Sequence, residues 1–244
     1  MSNNRHEWYK EYALHRKPSK LGDKMIRFWH AGMLQEAKKV IGKFHGKNLI
    51  EIGVGHGYFA YEAIGQDIHY TGIEMNKDLC QNLKMKNFNV INATFPPMPE
   101  VVAPDIIWMS HVLEHAITYA QAREMVGEIH KTLKPGGHAI IICPDLESLG
   151  AAFWNDWTHG FPTTPRRCTQ IFNDVGFNKV KTMTSIGITT NPFFVYLLNI
   201  IFRLLPYKFL DWIFKPFFKD KTYFYSFMTL FGWKNVFLIA QKEP

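Results

Sequence analysis

Short apolar segments alternate with amphipathic segments through the middle of the chain. Buried parallel strands have this short apolar composition. The segments between them carry apolar residues at helical spacing, most clearly over 119–133. Strands that alternate with helices predict an α/β fold with a Rossmann-like, doubly wound seven-stranded sheet. The predicted strands are 48–52, 68–73, 89–91, 105–109, 138–143, 179–184 and 235–240.

Two regions outside this alternation have a different pattern. Apolar side chains recur near helical spacing over residues 5–46, which predicts an amino-terminal helical cap. Its first part, 8–12, either folds over a ligand as a lid or packs as a plain structural helix. The second region, 186–234, precedes the last strand. We therefore expect a cap (1–46), an α/β domain (47–185 with 235–244) and a helical insertion (186–234).

The turn after the first predicted strand carries glycines at alternate positions. These are Gly53, Gly55 and Gly57, and Glu51 stands two residues before the first of them. Glycine lets the backbone turn tightly and approach a ligand that a Cβ would push away. A dinucleotide fingerprint would place its last glycine at Tyr58, so the spacing differs from that motif. On its own, the turn is either a ligand-binding loop or a plain strand-to-helix connection.

An acidic residue ends the second predicted strand. Glu74 lies 23 residues after Glu51, which is about one strand–helix–strand step. In nucleotide-binding α/β folds, an acid at this point accepts hydrogen bonds from ribose hydroxyls. A buried carboxylate is stable there only if such donors arrive. In this context we interpret Glu74 as a ribose ligand rather than a solvated loop acid.

Several segments together resemble a known family. Residues 51–57, with the pattern Glu-x-Gly-x-Gly-x-Gly, resemble motif I of the class I S-adenosylmethionine (SAM) dependent methyltransferases. Residues 105–115, ending in His-Val-Leu-Glu-His, are similar to the motif IV strand of small-molecule methyltransferases, and 133–137 (Leu-Lys-Pro-Gly-Gly) resemble a further family segment. The resemblance covers most of 47–185 and the final strand. It implies SAM as cofactor, methyl transfer as activity and an antiparallel last strand.

The resemblance also implies which residues hold the cofactor. The three glycines would allow close approach of the methionine and ribose, and Met75 would pack against adenine. Asn92 stands where many relatives have an acid that meets the adenine amino group, and an amide oxygen can accept the same bond. Glu51 would fix the loop or the cationic amino end of SAM. Since α/β sheets bind ligands beyond the carboxyl ends of their strands, the predicted cofactor-binding set is Glu51, Gly53, Gly55, Gly57, Glu74, Met75, Asn92, Ala93, Ser110 and His111.

Histidines near acidic residues are candidates for activating the methyl acceptor. His115 lies four residues after His111, on the same face if this segment is helical. In the loop after the fifth strand, Asp156 and His159 can form a pair of orienting acid and base. The predicted catalytic residues are therefore His159, His115 and Asp156, with structural or solvated histidines as the alternative. The spacing matches none of the sharper zinc signatures, so we predict no metal site.

Composition narrows the cellular setting. The 244-residue chain has a net charge of +7 and three cysteines without a CxxC pair. The cysteine usage and a polar amino terminus favour a cytoplasmic protein. The positive charge allows anionic partners. Because the basic residues are scattered without interleaved aromatics, we do not expect a nucleic-acid partner. The sequence does not predict the oligomeric state.

The insertion is rich in aromatic residues. Between Phe193 and Trp233, 41 positions hold 16 of the 37 aromatic residues of the chain. Asn199 and Arg203 interrupt its main apolar run, which is shorter than the ~20 residues that span a membrane. Aromatics flanked by lysines suit the boundary of an anionic bilayer. We predict peripheral contact of 192–231 with the inner face of a membrane; the alternative is a cap buried against the sheet or a second subunit.

These observations lead to a functional prediction. We expect a SAM-dependent methyltransferase that methylates an oxygen of a lipid-linked glycan or another membrane-associated small molecule. One alternative is a soluble small-molecule methyltransferase with a hydrophobic lid. Another is a non-catalytic membrane-associated protein with the same fold. The expected ligands are SAM and a small-molecule or lipid-linked acceptor.

Overall fold

A computed structural model describes residues 20–214 and 227–244. Within these residues one sheet contains β1 (Asn48–Ile52), β2 (His69–Glu74), β3 (Val90–Asn92), β4 (Ile106–Ser110), β5 (His138–Pro144), β6 (Lys179–Ile186) and β7 (Lys234–Gln241). Their order is β3-β2-β1-β4-β5-β7-β6, and β7 runs antiparallel to β5 and β6. The predicted fold class is confirmed, and every strand lies within about two residues of its predicted bounds.

The described residues form eight α-helices, several of which pack on the two faces of the sheet. They are α1 (Lys20–Ile41), α2 (Tyr58–Ile64), α3 (Lys77–Met85), α4 (Tyr119–Thr132), α5 (Leu146–Leu149), α6 (Pro165–Val175), α7 (Pro192–Leu204) and α8 (Tyr207–Phe214). Local sequence fixes several starts, because Asn76, Thr118 and Thr164 each accept a hydrogen bond from the first turn of α3, α4 and α6. Asparagine and threonine are favoured at the N-cap position, just before the first residue of a helix.

Two apolar clusters, one on each face of the sheet, hold the helices in place. Neighbouring residues of β4 belong to opposite clusters. Ile107 and Met109 pack with residues of α4 and α6. Ile106 and Trp108 pack with residues of α1 and α2. Because successive strand residues point to opposite faces, a central strand covered on both sides has the continuous apolar sequence from which it was predicted.

The strand order changes direction at β1. This strand lies between β2 and β4, so the chain moves outward through β2 and β3 and then returns to the other side of β1. In folds of this class the loops on either side of such a point diverge, and ligands bind in the crevice at the carboxyl ends of the strands. The predicted cofactor residues lie at the ends of β1 to β4 and in the turns that follow them.

The helix α1 contacts the start of the insertion. A Cβ on Gly32 would lie 2.5 Å from the Cβ of Ile188, so only glycine allows this approach. The buried Glu36 carboxylate accepts hydrogen bonds from the backbone N–H and the hydroxyl of Thr190. It also pairs with Lys39. These contacts fix the chain after β6 against α1.

The described part of the insertion contains α7, α8 and a π-helical turn, Met228–Gly232, just before β7. Residues 215–226 lie outside the described residues. So does the predicted cap before Lys20, including the expected lid at 8–12. Of the helices that the structure describes, none is long and apolar enough to cross a membrane.

We expect Thr190→Val to lower the free energy of unfolding by about 1–3 kcal/mol, because it leaves the buried Glu36 carboxylate without the hydroxyl donor. Thr190→Ser keeps that donor and should stay close to wild type. Urea unfolding followed by tryptophan fluorescence measures both variants. Equal stability of the valine and serine variants would show that this contact does not hold the insertion against α1.

Candidate cofactor and acceptor site

The glycine turn after β1 has a conformation that suits glycine. Gly53, Gly55 and Gly57 have φ angles of 78°, 56° and 82°, in the left-handed region that other residues rarely adopt. A Cβ on Gly53 would lie 2.4 Å from Val112, and one on Gly57 would lie 2.5 Å from Leu83. A Cβ on Gly55 would meet no described atom within 4 Å. Packing therefore requires the outer two glycines, whereas the middle one faces space that a ligand can enter.

Glu74 ties this turn to the end of β2. Its Oε2 accepts a hydrogen bond from the N–H of Gly55, and its Oε1 accepts one from the N–H of Asn76, both at 2.7 Å. The residue is 1% exposed, and burial raises the pKa of its carboxyl group although these bonds oppose the rise. An ionised carboxylate has about four lone-pair sites. Two backbone donors therefore leave capacity for ribose hydroxyls.

The residues expected to meet adenine lie at the ends of β2 and β3. Met75 is exposed. The Asn92 side-chain amide donates to the backbone oxygens of Glu74 and Met75, at 2.8 and 3.1 Å. The Ala93 N–H donates to the Glu74 carbonyl at 3.2 Å. These bonds hold the two strand ends together and use the amide nitrogen of Asn92, so its amide oxygen is the atom left for the expected adenine contact.

Glu51 forms a buried pair at the end of β1. Its Oε2 accepts a hydrogen bond of 2.5 Å from the Tyr70 hydroxyl. Burial raises the pKa of Glu51 to about 8; the Tyr70 bond opposes this rise and the charge of Glu74 adds to it. Its carboxyl group is therefore mainly protonated at neutral pH. Its expected contact with the amino end of SAM stays a prediction.

A strained turn after β4 reaches the same crevice. Ser110 Oγ is buried and has no hydrogen-bond partner among the described residues. His111 has a φ of 54°, its N–H donates to the Ile142 carbonyl at 2.8 Å, and its Nδ1 lies 3.3 Å from Oε1 of Glu114. Strain of this kind is concentrated at functional sites. His111 and His115 would share a face only if this segment were helical. It is not, because the positive φ separates His111 from the 3₁₀ turn that follows.

Two side chains of α1 that sequence analysis did not select border the crevice. The Nδ1 atom of His30 is buried and has no hydrogen-bond partner among the described residues, and burial, reinforced by nearby His111, lowers the pKa of this side chain to about 3. Trp29 Nε1 also lacks a partner among the described residues, and its ring lies 5.7 Å from that of His111. Because buried polar groups normally have partners, these atoms and Ser110 Oγ fit a polar ligand. From helical spacing, Trp29 was predicted only as an apolar residue of a helix, and nothing in the sequence pattern indicated a role for His30.

A second polar cluster forms where the turn after β4 meets the loop after β5. The Thr158 hydroxyl donates to Asp156 Oδ1 at 2.5 Å and lies 2.9 Å from His115 Nδ1. His159 Nδ1 lies 2.7 Å from the Phe153 carbonyl, and the two imidazole centroids are 5.1 Å apart. The sequence predicted that Asp156 would orient His159, but in the structure the side chains of these two residues have other hydrogen-bond partners. Asp156 binds Thr158 and orients His115 through it.

Backbone contacts hold the two parts of this cluster together. The N–H groups of Gly160 and Phe161 both donate to the Glu114 carbonyl, at 2.9 and 3.0 Å. A Cβ on Gly160 would lie 2.4 Å from the Ala116 carbonyl oxygen, so glycine is required here. Phe161 is buried in the core and anchors the loop. The loop after β5 is thereby fixed against the 3₁₀ turn after β4.

Glu114 is a further site residue that the sequence did not single out, although it lies inside the His-Val-Leu-Glu-His segment. It is 1% exposed, and its Oε2 has no partner among the described residues. Burial raises the pKa of this carboxyl group, but the bond from His111 and the charges of His115 and His111 outweigh it and lower the pKa below its usual value. Each of Glu114, His115 and His159 contributes an atom that lies within 4.8 Å of the other two.

Comparison with known proteins adds to this geometry. Residues 15–182, more than half of the chain, match the family model described as a methyltransferase domain. The chain belongs to the methyltransferase family. The curated proteins contain no match to it. The motif I resemblance agrees with this result, and the cofactor of this methyltransferase is SAM.

Solved structures share the fold of this methyltransferase. A SAM-dependent methyltransferase from Archaeoglobus fulgidus has a TM-score of 0.56 at 21% identity, covering 86% of this chain and 94% of its own. A methyltransferase solved with the Haloferax volcanii Trm112 activator has a TM-score of 0.64 at 14% identity, covering 97% and 98%. The N-methyltransferase NodS from Bradyrhizobium japonicum, bound to S-adenosylhomocysteine, has a TM-score of 0.60 at 15% identity. The match covers 98% of this chain and 99% of NodS. At these identities the likeness shows the fold alone.

We expect Gly55→Arg to reduce SAM affinity at least about 100-fold, because the new side chain fills the space beside the glycine turn and strains a left-handed residue. Gly46→Arg is the matched control. Gly46 also has a positive φ, of 68°, and open space around its Cβ position, but it precedes β1 at the opposite end of that strand. Calorimetric titration with SAM measures both. Equal losses in the two variants would remove the middle glycine from the cofactor site.

Glu51 should make stability depend on pH. Its pKa is about 8 in the folded protein against 4.5 as the reference. Between these values the folded state holds a proton that the unfolded chain has lost, so stability falls as pH rises. Glu51→Gln keeps a neutral partner for Tyr70. It should remove this part of the stability loss, which is at most roughly 1.4 kcal/mol per pH unit. Unfolding at pH 6 and 8 measures the difference, and parallel wild-type and variant curves would contradict it.

Proposed function

We propose that this methyltransferase transfers the methyl group of SAM to an oxygen of a small, lipid-linked acceptor. Around the cofactor, Gly55 would give close access, Glu74 would hold the ribose, and Ser110 would receive a polar partner. The observation that carries the oxygen assignment is the pair of oriented imidazoles, His115 and His159. Oxygen acceptors need a group that takes a proton, and two such groups lie in the turn and loop beside the crevice.

Hydrogen bonds set the tautomer of both imidazoles. The Asp156 carboxylate can only accept, so the Thr158 hydroxyl donates to it and accepts from Nδ1–H of His115. Burial raises the pKa of Asp156, but its two bonds from Thr158 outweigh this and keep the pKa below its usual value. The Phe153 carbonyl also only accepts, so it takes the Nδ1–H of His159. A neutral ring with a proton on Nδ1 has its lone pair on Nε2.

This arrangement can activate a hydroxyl. SAM, when bound, would supply an electrophilic methyl group. The acceptor oxygen would bond to the methyl carbon as the S–C bond breaks, and the electron pair of the broken bond would stay on sulfur. The hydroxyl proton passes to an imidazole Nε2, a transfer that contributes about 10²–10⁴-fold to the rate. Positioning and exclusion of water supply much of the rest. Trp154 and Trp157, both exposed in the same loop, offer apolar surface to an acceptor.

The outer surface of the insertion supports an acceptor that carries a lipid. The helices α7 and α8 present large apolar side chains to solvent, and soluble monomers rarely expose apolar surface of this extent. Aromatic side chains with lysines nearby in sequence suit a membrane interface. We call these residues the apolar helical surface: Phe193, Phe194, Tyr196, Leu197, Ile200, Ile201, Leu204, Phe209, Trp212 and Ile213.

The apolar helical surface is connected to the site through α1. The chain just before α7 is bound to Glu36 by Thr190, and the rings of Phe28 and Phe231 lie 6.4 Å apart where α1 meets the π-helical turn. The same helix carries His30 at the crevice. We propose that this surface lies on the inner face of the membrane, so that a lipid-linked acceptor can enter the site from the bilayer.

We expect His159→Asn to slow methyl transfer about 100-fold while SAM affinity stays unchanged, because the amide can still donate to the Phe153 carbonyl but cannot take a proton. The measurement is transfer from labelled SAM to a lipid extract, with calorimetry for SAM. The control is His69→Asn, an exposed histidine of β2, which should behave as wild type. Normal turnover in His159→Asn would remove His159 from the catalytic residues.

A charge on the apolar helical surface should prevent membrane contact. We expect wild type to sediment with anionic liposomes and Leu204→Glu/Trp212→Glu to remain in solution with unchanged SAM affinity. Met85→Glu/Val102→Glu is the matched control, because these residues are 75% and 78% exposed, close to the 78% and 71% of the test pair. Wild type that stays in solution would favour a soluble acceptor under a hydrophobic lid.

A further inference from the structure

The cluster at the acceptor side contains three groups that donate electron pairs and face one another. Glu114, His115 and His159 each offer one atom, and these atoms lie within 4.8 Å of one another. Glu114 is buried and the two histidines are partly buried. A cation between the three groups would stabilise them. It would offset the repulsion between close lone pairs and provide a counter-charge for the buried carboxylate.

Glu114 provides the second sign of a cation. Its Oε1 is 3.3 Å from Nδ1 of His111, whereas its buried Oε2 has no hydrogen-bond partner in the described chain. A buried oxygen left unpaired costs about 1–3 kcal/mol, more if it is charged. Both Nδ1 atoms of the neighbouring imidazoles are already engaged, with Thr158 and with the Phe153 carbonyl. Nε2 is therefore the nitrogen that each ring has left for an ion.

We propose that Glu114, His115 and His159 bind a divalent transition-metal ion of the zinc, iron or cobalt class. Two imidazole nitrogens and one carboxylate oxygen are ligands that these ions prefer, whereas magnesium and calcium prefer oxygen alone. In a tetrahedral zinc site with bonds of ~2.1 Å the ligand atoms lie about 3.4 Å apart. The three ligand atoms already lie within 4.8 Å of one another, so they have to close by at most about 1.4 Å when an ion binds.

The surroundings of the two histidines match those of metal ligands. A ligating imidazole commonly donates its other N–H to a carbonyl or, directly or through a second group, to a carboxylate. The Phe153 carbonyl takes this role for His159, and Thr158 backed by Asp156 takes it for His115. These partners fix the rings before an ion arrives.

Three protein ligands leave at least one coordination position open, as in catalytic sites. An acceptor hydroxyl bound there would lose its proton to solvent more easily, as metal-bound water does. The imidazoles would then act through the ion rather than as bases themselves. This role rests on the proposed oxygen methylation, whereas binding of the ion does not. It favours acceptors with a second oxygen next to the reacting hydroxyl, since both can reach the ion.

The test is titration of the chelator-treated full-length protein with Co²⁺, followed by visible absorption, with Zn²⁺ calorimetry in parallel. We expect one ion per chain and the intense absorption of a low-symmetry site. Glu114→Gln and His115→Asn should weaken binding at least about 10-fold, and Thr158→Val about 10–100-fold through loss of ring orientation. His69→Asn should bind as wild type. An unchanged circular dichroism spectrum shows that each variant is folded.

Two outcomes would overturn the metal site: no stoichiometric Co²⁺ or Zn²⁺ uptake by wild type, or uptake that Glu114→Gln leaves unchanged. The first result, with methyl transfer intact in chelator, removes the metal site and leaves the proposed oxygen methylation standing. Stoichiometric uptake without methylation of any hydroxyl acceptor would instead leave the metal site standing and remove the proposed function.

Discussion

Glu114 joins the two halves of this site, and the rest of the arrangement depends on it. Its backbone carbonyl accepts hydrogen bonds from Gly160 and Phe161, which fixes the loop after β5 against the end of β4. Its side chain contacts His111 at the cofactor crevice. One buried residue thus links the turn after β4 to the loop that carries His159. Methyl transfer requires such a fixed relation, because the acceptor atom, the methyl carbon and the sulfur must be in line.

The sheet and the glycine turn after β1 were predictable because their signals are local. Buried parallel strands are continuous apolar runs, and the glycine turn needs three left-handed residues within five positions. Glu74 followed from its distance along the chain to that turn. His30 could not be predicted, because its position at the crevice depends on how α1 packs against the sheet. In the sequence, the position of His30 relative to its neighbours does not differ from that of any other residue in the helix.

The acceptor side was only partly predictable, because its contacts join distant residues. His115 and Thr158 are 43 positions apart, and no spacing rule relates them. Asp156 and His159 were selected for their residue types, and in the structure each contacts a near neighbour in its own loop, Thr158 and the Phe153 carbonyl. Zinc signatures depend on sequence spacing, whereas folding brings Glu114 and His115 next to His159 from another loop. The insertion was visible from composition, whereas its contact with α1 through Glu36 was not.

The measurement that tests the account most directly is the destination of the methyl group. Wild-type enzyme would be incubated with ¹³C-methyl SAM and a total lipid extract, and the labelled product would be located by NMR. The account predicts one labelled methyl bonded to oxygen, in a product that partitions with the lipids. A label bonded to nitrogen, or a product found only in the aqueous fraction, would contradict it.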